Sequence, residues 1–172
     1  MNRQLMWIHG LVDRDFNDYL EKLCLEKALS LGLSDRFFKI PLHISLKRSF
    51  YTEDYYAIKD SIISFLDNHS VLECSNPLPI IINNRLWLKV ENEKLNNIHN
   101  ELDRYLYDKH SIDIDEFDRN YYPHISLFHN DDLDKLNVIF EILNNNLKNM
   151  SFKIDTVAIG TDGNIEKYYL KK

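Results

Sequence analysis

Glycine and cysteine are scarce in this sequence, and their scarcity excludes two kinds of site. The 172 residues include four glycines and two cysteines. Gly160 and Gly163 lie where a terminal turn is expected, so the sequence offers no glycine-rich loop that could hold a phosphate. Cys24 and Cys74 form no Cys-x-x-Cys pair, and a lone Cys24 on a helix fits a small buried side chain. We therefore expect no metal site, no disulfide framework and no cofactor.

Positive charge and long apolar runs are also missing. A formal net charge of −6 argues against a long nucleic-acid groove, because binding an extended strand draws on a broad basic surface. A small nucleotide, a short oligonucleotide or an RNA end needs only local positive charge, which Lys47 and Arg48 could supply; alternatively, these are two solvated residues at a strand end. The apolar segment 5–12 is too short for a membrane span or a signal peptide. We expect a cytoplasmic monomer that binds no membrane.

The chain does contain a regular alternation of strand and helix patterns. Strands are predicted over residues 5–12, 42–47, 80–82, 86–90, 123–128, 152–159 and 165–170. Helices are predicted to begin at Asp13 or Asp15, at Thr52, at Asn92 and at Asn130-Asp131-Asp132. The helix after Thr52 is expected to bury one face, made of Tyr55, Ile58, Ile62, Phe65 and Leu66.

Two turns and one loop complete the pattern. Asn83-Asn84 and Asp162-Gly163-Asn164 predict hairpin turns, and an acidic loop is predicted from Asp108 to Asp118. The chain is long enough for a sizeable core. The repeated order of elements indicates a single domain, residues 1–172, made of two pseudo-symmetric lobes with an approximate boundary near residues 83–84.

The tetrapeptide His-Ile-Ser-Leu occurs twice, beginning at His43 and at His124, each time just downstream of a proline. In a strand, residues two apart point to the same side, so each copy places an imidazole and a hydroxyl on one face. If the two strands lie side by side, His43, Ser45, His124 and Ser126 converge on one cleft. One imidazole could then take a proton from a nucleophile while the other gives a proton to the leaving oxygen of a phosphodiester. The hydroxyls would hold the phosphate oxygens.

Other interpretations of these residues are weaker. Either histidine alone would fit a partly buried side chain at a strand edge, and it is the matched pair that favours catalysis. No Gly-x-Ser-x-Gly elbow surrounds either serine, which disfavours a serine hydrolase. The remaining histidines have no partner pattern and are His9, His69, His99, His110 and His129.

The doubled motif resembles that of the 2H phosphoesterases, which carry His-x-Thr or His-x-Ser once in each half. The length and element order are most similar to the branch named for 2′-5′ RNA ligase and cyclic phosphodiesterase. This resemblance covers nearly the whole chain and implies a bilobal α/β (α+β) fold, with two antiparallel sheets around a central cleft and helices outside. It also implies that His43 and His124 are the catalytic acid–base pair, that Ser45 and Ser126 bind phosphate, and that no metal is needed.

The sequence departs from the family pattern at two places. Many members have threonine where this chain has serine in the motif; the hydroxyl is kept, but the β-methyl group that stiffens the side chain is lost. Many also have a basic residue soon after the second motif, where this chain has Phe128-His129. Arg48 could supply the missing charge. Tyr121, Tyr122 and Phe50 adjoin the motif strands and could stack on a base, or could belong to the core or rim.

The leading hypothesis is a metal-independent phosphodiesterase acting on ribonucleotide 2′,3′-cyclic phosphates or 2′-5′ linkages. One alternative is an enzyme that degrades cyclic oligonucleotide signals. Another is a non-catalytic module that binds nucleotides or RNA ends, which is disfavoured because both motifs are intact. RNA ligation is also disfavoured, since the sequence has no nucleotide-activating lysine motif.

Overall fold

The computed structural model describes residues 3–161 and 163–172. The strands are β1 (Gln4–Val12), β2 (His43–Thr52), β3 (Leu72–Ser75), β4 (Leu78–Ile82), β5 (Arg85–Lys89), β6 (His124–His129), β7 (Ser151–Thr161) and β8 (Asn164–Tyr169). The helices are α1 (Arg14–Leu20), α2 (Glu26–Ser30), α3 (Tyr55–Leu66), α4 (Glu93–His110), α5 (Glu116–Arg119) and α6 (Leu133–Asn146), with a π-helical segment at Glu21–Leu25 joining α1 to α2.

The strands form two separate antiparallel sheets. The larger sheet has the order β2-β1-β7-β3, and β8 pairs with the second half of β7. The smaller sheet has the order β4-β5-β6. The α+β class and the two antiparallel sheets predicted from the sequence are thus confirmed. The two motif strands, β2 and β6, each lie at an edge of their own sheet.

Local sequence signals set most of the helix ends. The side chains of Asp13, Asn92 and Asp132 accept hydrogen bonds from backbone amides in the first turns of α1, α4 and α6, as the capping patterns predicted. In α3 the buried side chains are the five that were predicted: Tyr55, Ile58, Ile62, Phe65 and Leu66.

The predicted hairpins also form. Asn83 and Asn84 join β4 to β5 with positive φ angles of 46° and 60°, the left-handed conformations that a tight hairpin turn requires. At the other predicted turn, β7 pairs with β8 and Gly163 has a φ of 100°; Asp162 lies outside the described residues. The division into two pseudo-symmetric lobes near 83–84 stays a prediction.

Four details of the sequence prediction were wrong. The first motif strand continues to Thr52, and α3 is capped by Asp54 instead. The short strand β3 was missed, because four residues carry too little pattern. The predicted acidic loop is shorter at both ends, since α4 reaches His110 and α5 begins at Glu116, which leaves residues 111–115 as the loop. Gly160 lies within β7 and not in a turn.

Both sheets contribute to one hydrophobic core. The apolar residues of the two motifs are fully buried in it, with Ile44 and Ile125 both 0% exposed. This burial orients each motif, because the side chains that alternate with the isoleucines must face the other way. Across residues 3–161 and 163–172, no helix combines the length and the apolar character needed to cross a bilayer.

Candidate active site

The two His-Ile-Ser-Leu copies have the same pairing with their neighbouring strands. In the larger sheet His9 pairs with Ser45 and Ile8 with Lys47, so Leu46 is an extra residue that forms a β-bulge. In the smaller sheet Trp87 pairs with Ser126 and Leu86 with Phe128, which makes Leu127 the extra residue of an equivalent bulge. The duplication therefore extends beyond the tetrapeptide to the backbone around it.

The two motif strands contact each other across the gap between the sheets. His43 and His124 are both half-buried and stand at the first positions of β2 and β6. Ser45 is exposed and Ser126 is half-buried. Neither serine hydroxyl makes a hydrogen bond to another side chain or to the backbone in the described part of the chain, so both are free to bind a ligand.

Each motif histidine is oriented by a backbone carbonyl two residues before it. Nδ1 of His43 lies 3.0 Å from the carbonyl oxygen of Pro41, and Nδ1 of His124 lies 2.7 Å from that of Tyr122. A carbonyl oxygen only accepts, so Nδ1 carries the proton in both rings. In each neutral imidazole, Nε2 is then the nitrogen that can accept a proton.

Burial lowers the pKa of both histidines. For His43, burial is the main cause and the hydrogen bond to Pro41 opposes it. For His124, burial is again the main cause, the bond to Tyr122 opposes it, and the charges of Arg85 and His43 lower the pKa further. Burial is thus the main cause of the lowered pKa in both rings, and the charge of His43 adds a smaller effect on His124.

Aromatic rings stack on both motif histidines. The ring of His43 lies 4.0 Å from that of His9, at an interplanar angle of 10°, and His9 in turn stacks on Trp7 at 4.5 Å. The ring of His124 lies 3.9 Å from that of Trp87, at 25°. His9 and Trp87 hold the same register position, opposite the motif serine. Neither contact could be predicted from the sequence, because the strand pairing that brings these rings to the motif is a tertiary property.

A cavity of about 370 Å³ opens beside the second motif. Five residues that the sequence suggested for the site line it: Ser45, Arg48, Tyr121, Tyr122 and His124. His43 and Ser126 lie on the same two strands but outside the described lining of this cavity. Phe50 lies farther along β2, opposite Met6, and packs against the hydrophobic core, which favours the packing role over base stacking.

Arg48 is fixed at the rim of this cavity. Its guanidinium forms an ion pair with Asp115 at 2.7 Å and lies 3.9 Å from the ring centre of Phe117. Burial alone would raise the pKa of Asp115, but hydrogen bonds from the backbone of Asp118 and Phe117, together with Arg48, hold that pKa below its usual range. The positive charge of Arg48 is therefore present at the cavity but partly neutralised.

Lys47 is neither a ligand-binding nor a solvated residue, and both sequence interpretations of it were wrong. The bulge after Ser45 turns it into the interior, where it is 2% exposed. Its ammonium group contacts Asp118, lies 3.1 Å from Asp103 and donates to the carbonyl oxygen of Asp113 at 3.0 Å. Simple strand alternation could not predict this burial. The equivalent position in the second motif, Phe128, is buried too.

His99 completes this buried charge cluster. Its Nδ1 lies 2.8 Å from the carbonyl oxygen of Leu46, and its Nε2 lies 2.9 Å from that of Asp118. Both ring nitrogens therefore face carbonyl oxygens, which can only accept hydrogen bonds. Asp103 lies 3.4 Å from the same ring. Lys47 and His99 thus lie against two carboxylates, and burial raises the pKa of Asp103 against the opposing effect of these two side chains.

The cluster joins the first motif to the segment that precedes the second. Tyr121 stacks on His99 at 3.7 Å, and its hydroxyl donates to the carbonyl oxygen of Ser45 at 2.9 Å. Tyr121 is three residues before His124. These contacts fit a structural role for Tyr121 better than the predicted stacking on a base. Tyr122, in contrast, is 37% exposed and lies at the cavity surface.

Among the described residues, one group of histidine and carboxylate side chains is compact enough to hold a metal ion. It consists of His99, Asp103 and Asp118, whose ligand atoms lie within 4.8 Å of one another. The ammonium group of Lys47 already lies against both carboxylates. A dication would have to displace it, and the donor set therefore fits an internal ion pair better than a metal site.

Comparison with known proteins gives matches at the level of structure. No protein-family model matches the chain, and no curated protein matches its sequence. The fold is similar to that of Escherichia coli LigT solved with 3′-AMP, at a TM-score of 0.61 and 10% identity over 99% of this chain and 96% of that one. The Thermus thermophilus protein TT0787 has a TM-score of 0.61 and 12% identity, over 97% and 98%. Kluyveromyces marxianus Usb1 with uridine monophosphate has 0.53 and 10%, over 98% and 99%.

These neighbours share one architecture across nearly the full length of this chain, and they all belong to one superfamily. At such low identity the agreement concerns the fold. The two antiparallel sheets, the duplicated motif strands and the full-length structural matches lead to the same conclusion: this chain has the fold of the 2H phosphoesterases.

Proposed function

We propose that this protein is a metal-independent phosphodiesterase that cleaves ribonucleotide 2′,3′-cyclic phosphates or 2′-5′ linkages. The observation that carries the proposal is the matched state of His43 and His124. Both lie on facing motif strands, and both have Nδ1 engaged with a backbone carbonyl, which reserves Nε2 for proton transfer. A phosphodiester reaction needs two such groups, one to accept a proton and one to donate it.

The reaction on a 2′,3′-cyclic phosphate balances with these two groups. A water oxygen attacks phosphorus and loses its proton to the neutral Nε2 of one histidine. The bond from phosphorus to one ribose oxygen breaks, and that oxygen takes a proton from the protonated Nε2 of the other histidine. Ser45 and Ser126 donate hydrogen bonds to the non-bridging oxygens, where negative charge builds up. The product is a ribonucleotide with one terminal phosphate, and the two histidines have exchanged protonation states.

The cavity supports a nucleotide of limited size as the substrate. Trp87, Tyr122 and Phe117 line it with aromatic surface, and stacking of a base on such a ring contributes roughly 1–3 kcal/mol. Arg48 adds one positive charge, already paired with Asp115. The net charge of −6 adds no broad attraction for a long strand. Structures of LigT and Usb1 were solved with 3′-AMP and uridine monophosphate, which is in keeping with a small nucleotide ligand here.

The test is a substrate panel in the presence of EDTA. Purified protein is incubated with 2′,3′-cyclic nucleotides, 2′-5′ dinucleotides, 3′-5′ dinucleotides and cyclic dinucleotides, and the products are separated by chromatography. We expect cleavage of the first or second class. Cleavage of cyclic dinucleotides alone would show that the proposed substrate class is wrong and that cyclic oligonucleotides are the substrates. Binding without turnover on the whole panel would overturn the proposal that the protein is an enzyme.

Matched variants separate the roles of the motif residues. Ser45→Thr and Ser126→Thr keep the hydroxyl, so we expect them to retain more activity than Ser45→Ala and Ser126→Ala.

Activity that EDTA abolishes and one divalent cation restores would contradict metal independence. The proposal also includes a monomeric state and a cytoplasmic location, which size-exclusion chromatography and cell fractionation would test.

A further inference from the structure

A third histidine, His9, lies directly against His43, one member of the proposed catalytic pair. Its ring is nearly parallel to that of His43, with an interplanar angle of 10° and 4.0 Å between ring centres. On its other side it stacks on Trp7 at 4.5 Å. Within the described chain, the His9 ring nitrogens make no hydrogen bond to a side chain or the backbone. Its contact with the site is therefore made by the face of the ring.

This contact supplies a constraint that the hydrogen bond of His43 cannot supply. The bond from Nδ1 to Pro41 acts in the plane of the ring, where it restrains one edge of the ring but not movement perpendicular to that plane. A parallel ring against the face opposes this perpendicular movement. Together the two contacts determine where Nε2 of His43 points.

The other half of the molecule has an equivalent arrangement. Trp87 holds the register position that corresponds to His9 and stacks on His124 at 3.9 Å. There the supporting ring is an indole, which cannot take up a proton. Both positions therefore present an aromatic face to the motif histidine. Only His9 has a ring that could take up a proton.

His9 is also unsuited to carry a proton itself. Burial, with the charge of His43 as a second cause, lowers its pKa to about 3. When His43 is protonated, a second positive ring stacked on it would be repelled. A neutral His9 lets His43 change its charge during the reaction without a competing titration next to it.

We propose that His9 is a positioning residue, which holds the ring of His43 by stacking and takes no part in proton transfer. This inference rests on the proposed phosphodiesterase function, since it gives His9 a role in that reaction. It assigns the role to the face of the ring, and therefore predicts that another aromatic ring can replace it.

Steady-state kinetics of three variants test the role of the ring face. We expect His9→Ala to lower kcat by about 10-fold or more with KM within about twofold, because a displaced Nε2 affects the transition state more than substrate binding. His9→Phe keeps a face without nitrogens and should stay within about threefold of the parent. The matched control is His69→Ala, which removes a histidine that also packs on an aromatic ring, Phe65 at 4.4 Å, away from the site.

Nuclear magnetic resonance of the imidazole nitrogens tests the same proposal without a substrate. In the parent protein and in His9→Phe, His43 should show one tautomer with the proton on Nδ1. In His9→Ala, a mixture of tautomers or broadened His43 signals should appear. This readout remains valid if the substrate panel fails, so the two proposals can fail separately.

The proposal is overturned if folded His9→Ala keeps both the parental kcat and a single His43 tautomer. It is equally overturned if His9→Phe is as impaired as His9→Ala, because the nitrogens of His9 would then matter. If His9→Ala does not fold, His9→Gln takes its place, since glutamine is polar and planar at its end but has no aromatic face.

Discussion

At the scale of single residues, the two motif histidines have the same kind of hydrogen-bonding partner, a backbone carbonyl, but different ring neighbours. Each donates from Nδ1 to a carbonyl oxygen, whereas His43 stacks on an imidazole and His124 on an indole. An indole face attracts a cation strongly, and burial opposes the charged form of both rings. Their proton affinities are thus set by nearby groups that the motif itself does not contain.

Replacing either motif histidine with alanine should abolish most of the activity. A positioned acid or base contributes roughly 10²–10⁴ in rate, so His43→Ala and His124→Ala should each lower kcat/KM at least about 100-fold. Circular dichroism should show folded proteins, because both side chains are half-buried and lie at strand ends. If one folded variant kept nearly the parental rate on every substrate, the paired mechanism would be wrong.

The dependence of kcat/KM on pH should be a bell displaced towards acid. One histidine must begin neutral, which limits the rate at low pH, and the other must begin protonated, which limits it at high pH. Burial lowers both pKa values from 6.5, so both limbs move to lower pH and the rate should fall as the pH rises above about 6.5. A stopped assay across roughly pH 4–9, at constant ionic strength, measures this profile. A profile with one limb would show that only one imidazole transfers a proton.

At the scale of elements, the sequence predicted what depends on neighbouring residues. Capping side chains, the apolar face of α3 and the Asn83-Asn84 turn all arise within a few residues of the chain. The two bulges could not be predicted, because an extra residue in a strand is defined only by its partner strand. The repeated motif is visible in the sequence, whereas the stacking of His9 and Trp87 and the burial of Lys47 depend on strand pairing and could not be predicted.

The close packing of β7 against β1 leads to a prediction for Gly160. A Cβ atom at this position would overlap the ring of Trp7, and a rigid indole can avoid it only by moving away. We expect Gly160→Ala to lower the free energy of unfolding by about 1–3 kcal/mol, the usual cost of overpacking. Because the added atom displaces the indole, the emission spectrum of Trp7 in the folded protein should change as well.

Gly32→Ala provides the matched control for that measurement. Gly32 has a φ of 74° and nothing within 4 Å of the added atom, so alanine there strains the backbone without touching Trp7. Urea unfolding should show a loss of about 1 kcal/mol, with the tryptophan emission of the folded protein unchanged. An unchanged emission in Gly160→Ala too would show that the indole is not displaced.

At the scale of the whole molecule, the two ends of the chain build one sheet. The first strand, β1, lies between β2 and β7, and the last strand, β8, pairs with β7. The order of elements along the sequence was largely predicted, but this arrangement was not, since local patterns do not specify which strands pair over long distances. The second motif reaches the first because β2 and β6 lie at facing edges of different sheets.

Breaking the buried charge cluster is expected to destabilise this arrangement strongly, because carboxylates would be left buried without a partner. Lys47→Met leaves Asp103 and Asp118 without their common ammonium partner, and removing one member of a buried ion pair costs about 3–5 kcal/mol. Lys153→Met is the control, because the pair of Lys153 with Glu73 lies on the surface at 3.5 Å and should contribute less than about 1 kcal/mol. Chemical denaturation measures both. Equal effects would show that the cluster is not specially coupled to the fold.

The carbonyl oxygens of Pro41 and Tyr122 have a consequence for mutagenesis of this protein. In many enzymes a carboxylate side chain orients the catalytic imidazole, and an alanine scan reveals it. Here the orienting atoms belong to the main chain, and every alanine variant retains them. An alanine scan would therefore miss the two carbonyl groups that set the tautomers of His43 and His124. The carbonyl group of Tyr122 can be altered indirectly through Pro123, which restricts the backbone of Tyr122. Replacing Pro123 should loosen the group that orients His124 without changing a residue that transfers a proton.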